Sequence, residues 1–138
     1  MNISKTIPSK TELINELLSS VLAKLSDIGL DPGAIFNIKL ALYEAMVNAV
    51  KHGNKLNPDL KVKLEINIQN GNLIMQVSDE GTGFDYKNIP NPLTSKNLER
   101  LSGRGIFLIE KIMDKFEFMN EGRTIKMVKF LNKKKEEK

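Results

Sequence analysis

KVKLEINIQNGNLIMQVSDEGTGFD, residues 61–85, decides the architecture. Val62, Leu64, Ile66 and Ile68 alternate with Lys61, Lys63, Glu65 and Asn67, the period of a strand with one face on a core and one in water. Asn70-Gly71 supplies the two positive-φ residues of a type I′ turn. Leu73 to Ser78 then returns as a more apolar, more central strand, so the sheet is locally antiparallel. That strand runs straight into Asp79-Glu80-Gly81-Thr82-Gly83. An Asp at a strand end can accept a hydrogen bond from a ligand amino group, and the glycines let backbone pass close to it without a Cβ clash. Taken alone, the same stretch also fits a plain glycine turn.

Two helices precede the hairpin. Ile3 to Ile7 reads as a short strand broken by Pro8, and Ser9-Lys10-Thr11-Glu12 fits a capping box. Leu13, Leu17, Val21, Leu25 and Ile28 follow at helical spacing, widened by Ile14, Leu18 and Leu22, until Gly29. Asp31-Pro32 opens a second helix, Asp as N-cap and Pro in the first turn. Its apolar face is Ile35, Ile38, Leu42, Ala45, Met46 and Ala49, and Gly53 is its stop. Glu44 and Asn48, four residues apart, share a face at the edge of that stripe. A solvated helix edge with one hydrogen bond would account for that pair alone.

Downstream, Tyr86 to Gly103 holds two prolines and no sustained period, a length of irregular chain that usually serves as a lid or binding loop. Gly103-Arg104-Gly105 opens a third helix marked by Ile106, Ile109, Ile112 and Met113. Free N–H groups and the positive dipole end at such a start favour phosphate. It is neither a Walker loop nor G-x-G-x-x-G, because position 108 is Leu. Phe116 to Met119, a turn at Asn120-Glu121-Gly122, and Arg123 to Leu131 complete a second hairpin. The order of elements predicts an α+β fold with three helices on one sheet face. Residues 1–132 read as one domain and 133–138 as a charged, disordered tail.

Composition narrows the chemistry. The 138 residues are 41% hydrophobic, a globular balance. With no Cys and one His, a disulfide scaffold, a thiolate zinc site, a cysteine nucleophile and a polyhistidine metal site are excluded. No apolar run approaches a membrane span, and the polar N-terminus carries no secretory pattern, so the expected compartment is the cytoplasm. The net charge of +4 is held partly by the tail rather than by a folded basic stripe, which argues against direct nucleic-acid binding.

Four stretches, in this order, carry a resemblance: LALYEAMVNAVKHG (40–53), VSDEGTGFD (77–85), SGRGIFLIEKIMD (102–114) and EGRTIKMVKF (121–130). Together they resemble the nucleotide-binding superfamily of gyrase, histidine kinases and heat-shock chaperones, whose fold is called the Bergerat fold. The chain is most similar to the anti-sigma-factor serine/threonine kinases of bacterial sporulation and stress response. The resemblance spans about residues 7–131. It implies a two-layer α/β sandwich with a mostly antiparallel mixed sheet, three helices on one face and a flexible ATP lid.

It also implies site roles, residue by residue. Glu44 matches the family's general base, and Asn48 matches the Asn that holds Mg²⁺. Asp79 matches the Asp that recognises the adenine amino group, and Thr124 the Thr that supports it from the last strand. Gly81 and Gly83 line the adenine side; Gly103 and Gly105 close over the phosphates. Lys51 matches a basic phosphate contact, His52 a position near the ribose, and Arg104 a further contact beside the phosphates. The chain departs from the family at Gly122-Arg123-Thr124, where Gly-Thr-Thr is commoner. The implied activity is phosphorylation of an anti-anti-sigma protein at the expense of ATP with Mg²⁺, in a homodimer that also binds a sigma factor. The alternatives are a non-catalytic, nucleotide-gated binding module and a Bergerat ATPase serving another signalling pathway. Glu44 separates the first alternative from a kinase, since a module that only captures a partner needs no base there.

Overall fold

The structure, a computed structural model, describes residues 2–82 and 105–131. Strand β1 (Asn2–Pro8) leads through a 3₁₀ turn (Thr11–Leu13) into α1 (Ile14–Asp27). Helix α2 (Pro32–Val47) passes directly into a π turn (Asn48–Gly53). Strands β2 (Lys61–Gln69) and β3 (Asn72–Ser78) form the first hairpin; α3 (Gly105–Ile112), β4 (Lys115–Met119) and β5 (Thr124–Phe130) follow. The expected lid, residues 86–103, and the tail, 133–138, lie outside the described residues, as do Gly83, Gly103 and Arg104.

The sheet order is β1-β2-β3-β5-β4, which puts β3 at the centre as its apolar sequence requires. The α+β layering matches expectation, but the sheet is antiparallel in all four pairings rather than mixed. β3 and β4 do run the same way, yet β5 inserts between them and pairs with both, so no parallel ladder forms between the described strands.

Local chemistry sets most of the boundaries. The Asp31 side chain accepts from the N–H groups of Gly33 and Ala34 at 3.0 and 3.3 Å, with Pro32 in the first turn of α2. Asn70 and Gly71 have φ of 53° and 79°, as a type I′ turn demands. The face of the sheet that packs on the helices presents Val62, Leu64 and Ile66 from β2, Leu73, Met75 and Val77 from β3, and Ile125 and Met127 from β5. Against them lie Ile14, Leu18, Val21 and Leu25 of α1, Ile38, Leu42, Ala45 and Met46 of α2, and Ile106 and Ile109 of α3. α2 is the middle helix, in contact with α1, α3 and β3. Ile28, counted in the α1 stripe, instead stands exposed beyond the helix end.

The capping box is not formed. Ser9 is buried; its Oγ donates to the Leu60 carbonyl at 2.7 Å and accepts from Asn54 Nδ2 at 2.8 Å. These tertiary partners outcompete the local cap, and a 3₁₀ turn precedes α1 in its place. No helix among the described residues is long and apolar enough to cross a membrane.

Candidate functional site

The site is built where the end of α2, the end of β3 and the start of β5 meet. Glu44 sits half-buried one turn before Asn48 on α2. Asn48 begins the π turn, and its Oδ1 is buried without a hydrogen-bond partner. A buried carbonyl oxygen without a donor costs about 1–3 kcal/mol. Asn67 Oδ1, out on β2, is the other such atom among the described residues. No group of three or more His, Cys, Asp or Glu able to cage a metal occurs among the described residues. A divalent cation here would therefore take one carboxamide oxygen and complete its shell from phosphate and water, which suits Mg²⁺. The donor set fits that ion.

The π turn widens the helix at the place where backbone must approach β3. It carries Lys51 and His52, both exposed. It ends at Gly53, which lies against the Asp79 carboxylate so closely that a Cβ on Gly53 would overlap Oδ1, Oδ2 and Cγ. A Cβ on Gly81 would likewise run into the Gly53 carbonyl. Gly53 and Gly81 are thus glycines because two backbone segments and a carboxylate share the space of one side chain.

Asp79 is held from several sides. Its Oδ1 accepts from the Gly81 N–H at 2.9 Å, and its own N–H donates to the Arg123 carbonyl at 2.9 Å. Burial pushes its carboxyl above the ordinary range; the Gly81 N–H and the Arg123 guanidinium pull the other way. No described residue donates to Oδ2, which leaves a carboxylate oxygen at the strand end for a ligand donor.

Thr124 is buried but does not reach the Asp79 carboxyl. It pairs in register with Ser78, and its Oγ1 lies 2.9 Å from Ser78 Oγ and accepts from Asn120 Nδ2 at 3.0 Å. Side chains alternate along a strand, so Thr124 and Ser78 share the face opposite Val77 and Ile125. Gly105 begins α3.

Asn54 is a residue that sequence reasoning missed, and it supports the loop that carries Asp79. It is 1% exposed and fully engaged. Its Nδ2 donates to Ser9 Oγ and to the Lys61 carbonyl at 2.8 and 2.9 Å, and its Oδ1 accepts from the Glu80 N–H at 2.8 Å. Glu80 turns its own carboxylate to the Lys61 N–H at 2.6 Å. One carboxamide thus ties together the β1–α1 junction, the start of β2 and the loop that carries Asp79. Its position right after a helix-stopping glycine was the one available signal, and that signal also fits an ordinary turn.

A two-layer sandwich of this order sets a carboxylate at the end of the central strand against the end of a helix. The crystal structure of the RsbU and RsbW domains of a Mycobacterium tuberculosis protein superposes with a TM-score of 0.70 at 18% identity. The match covers 95% of this chain and 32% of that one, and it bears on the fold. The family model of the histidine kinase-like ATPase domain matches residues 7–129. Serine-protein kinase RsbW of Listeria innocua is 32% identical over 98% of this chain and 90% of its own length. Serine-protein kinase RsbW of Staphylococcus epidermidis is 31% identical over 95% and 87%. The chain belongs to the histidine kinase-like ATPase family, among the relatives of the RsbW serine-protein kinases.

Proposed function

We propose that this chain is an ATP- and Mg²⁺-dependent serine/threonine protein kinase and an anti-sigma factor, which binds a sigma factor and phosphorylates an anti-anti-sigma protein. The kinase class follows from kinship with the RsbW serine-protein kinases over nearly the whole chain. The observation that carries the mechanism is Glu44 one helical turn before Asn48, whose buried Oδ1 lacks a donor. A homodimer through α1 and the β1 edge, and a cytoplasmic location, belong to the same reading, with residues 1–132 as the single domain.

In this reading Asp79 accepts from the adenine amino group, while Gly81, Gly83 and Gly53 keep the base wall free of side chains. Gly103, Arg104 and Gly105 face the phosphates, with Lys51 and His52 nearby, and Thr124 braces the base wall from behind through Ser78. Asn48 would hold Mg²⁺, which neutralises charge developing on the phosphate oxygens. The substrate hydroxyl oxygen bonds to the γ-phosphorus as the bond to the β,γ-bridging oxygen breaks. Glu44 takes the hydroxyl proton, and ADP leaves. Positioning and charge rather than covalent chemistry lower the barrier.

The test is transfer of labelled γ-phosphate to the anti-anti-sigma partner recovered by co-purification. Glu44→Ala is expected to slow transfer by about 10²–10⁴-fold while ATP affinity stays within a few-fold. Transfer at the normal rate in that variant would remove Glu44 as the base. A wild-type chain that binds ATP but transfers nothing would favour the nucleotide-gated binding module.

A further inference from the structure

Arg123 occupies the position where the family's motif commonly has its first Thr, and the structure gives it a bonding pattern of its own. Its backbone carbonyl accepts from the Asp79 N–H at 2.9 Å, and its Nε donates to the Gly81 carbonyl at 2.9 Å. Gly81 in turn donates its N–H to Asp79 Oδ1 at 2.9 Å. Residues 79, 81 and 123 therefore close a ring of three hydrogen bonds. Both polar ends of Gly81 are held, the N–H by the carboxylate and the carbonyl by the guanidinium. Behind Gly81 the Gly53 backbone leaves no room for retreat.

We infer that Arg123 is a positioning residue for nucleotide recognition: by fixing the Gly81 carbonyl it sets the Asx turn that aims the Asp79 carboxylate at the adenine amino group. This rests on the nucleotide reading proposed above and adds to it the residue at which the chain departs from the commoner Gly-Thr-Thr motif. Thr124 faces Ser78 and cannot substitute, because a strand places neighbours on opposite faces. A guanidinium suits the task, since its rigid fork loses less freedom per bond than a flexible ammonium. The remaining contacts of Arg123 keep it on the turn before β5. Nη1 donates to the Asn120 carbonyl at 3.4 Å and lies 3.7 Å from Glu121 Oε1. The Glu121 side chain is 82% exposed, so that ion pair adds little and the Gly81 bond is what holds the Arg123 side chain in place. The guanidinium charge also opposes the effect of burial on Asp79, which favours the ionised acceptor.

The experiment is a double-mutant cycle read by calorimetric ATP binding to the full chain with Mg²⁺, using wild type, Arg123→Ala, Asp79→Asn and the double variant. A hydrogen bond from a charged donor corresponds to roughly 10–100-fold in affinity. Arg123→Ala is therefore expected to weaken ATP by about tenfold or more. In the Asp79→Asn background the same change is expected to weaken it by less than about threefold, because the two residues act as one unit. Arg123→Lys, which keeps the charge without the fork, is expected to recover part of the loss, and it carries the test if the Ala variant does not fold. Wild-type affinity in Arg123→Ala, or an equal loss in both Asp79 backgrounds, overturns the inference while leaving the nucleotide reading intact. A wild-type chain that binds no ATP overturns both.

Discussion

Two asparagines bracket one π turn and are treated in opposite ways. Asn54, at its end, uses its carboxamide in three hydrogen bonds that join three separate segments. Asn48, at its start, buries Oδ1 with no donor. The first is a polar group whose desolvation is offset inside the protein, so it holds the loop that carries Asp79 before any ligand arrives. The second carries an uncompensated cost, tolerable where a ligand supplies the missing partner. The contrast separates scaffold from working surface within six residues of chain.

Breaking the scaffold side is expected to have the largest effect on stability. Asn54→Ala strands the part-buried Glu80 N–H and Lys61 carbonyl and takes a donor from the buried Ser9 Oγ, and each group left unpaired costs about 1–3 kcal/mol. A loss of about 2–5 kcal/mol in denaturant unfolding is expected, with nucleotide affinity falling because Glu80 adjoins Asp79. A loss under about 1 kcal/mol would mean that water replaces the carboxamide. Gly53→Ala comes next. Its Cβ overlaps the Asp79 carboxylate, and relief of such overpacking costs about 1–3 kcal/mol. Calorimetry should show ATP weakened by about tenfold or more, with the fold retained by circular dichroism.

Asn48→Ala sharpens the comparison from the other side. Removing an acceptor that had no donor relieves its desolvation cost while giving up the side chain's packing, so stability is expected to change by no more than about 1 kcal/mol in either direction. The gain in ATP affinity that Mg²⁺ confers on wild type should disappear. A stability loss as large as that of Asn54→Ala would erase the difference between the two asparagines. The smallest effect concerns pH. Burial raises the Asp79 carboxyl above 3.8, so the folded chain holds that proton more tightly than the unfolded chain. Its contribution to stability is therefore greatest below pH 3.8 and declines as pH rises through the window from 3.8 to the raised value. Asp79→Asn removes the decline. It should be slightly more stable than wild type at neutral pH and bind ATP more weakly; the test is denaturant unfolding across pH 3–7 beside ATP titration.

The architecture was legible because its signals are local. Asp31-Pro32, Asn70-Gly71 and the alternation of residues 62–68 each act within a few residues, and the structure keeps all three. Glu44, Asn48 and Asp79 were legible as candidates because helix spacing and a strand end define where they stand. The Ser9 cap was misread because a capping box is a local bargain, and a buried Asn54 with the Leu60 carbonyl offered more.

Sequence alone determined the order of elements, the apolar face of each, and the run of polar and glycine positions from which a nucleotide site can be made. Tertiary structure alone decided which of Arg123 and Thr124 faces Asp79, since strand register with Ser78 sets that phase and no neighbouring residue encodes it. It also decided that Gly53 packs against the Asp79 carboxylate and that Asn54 ties the loop carrying Asp79 to Ser9. Both follow from contacts between segments more than twenty residues apart, whose partners are chosen by packing of the whole sheet against α2 rather than by any local propensity.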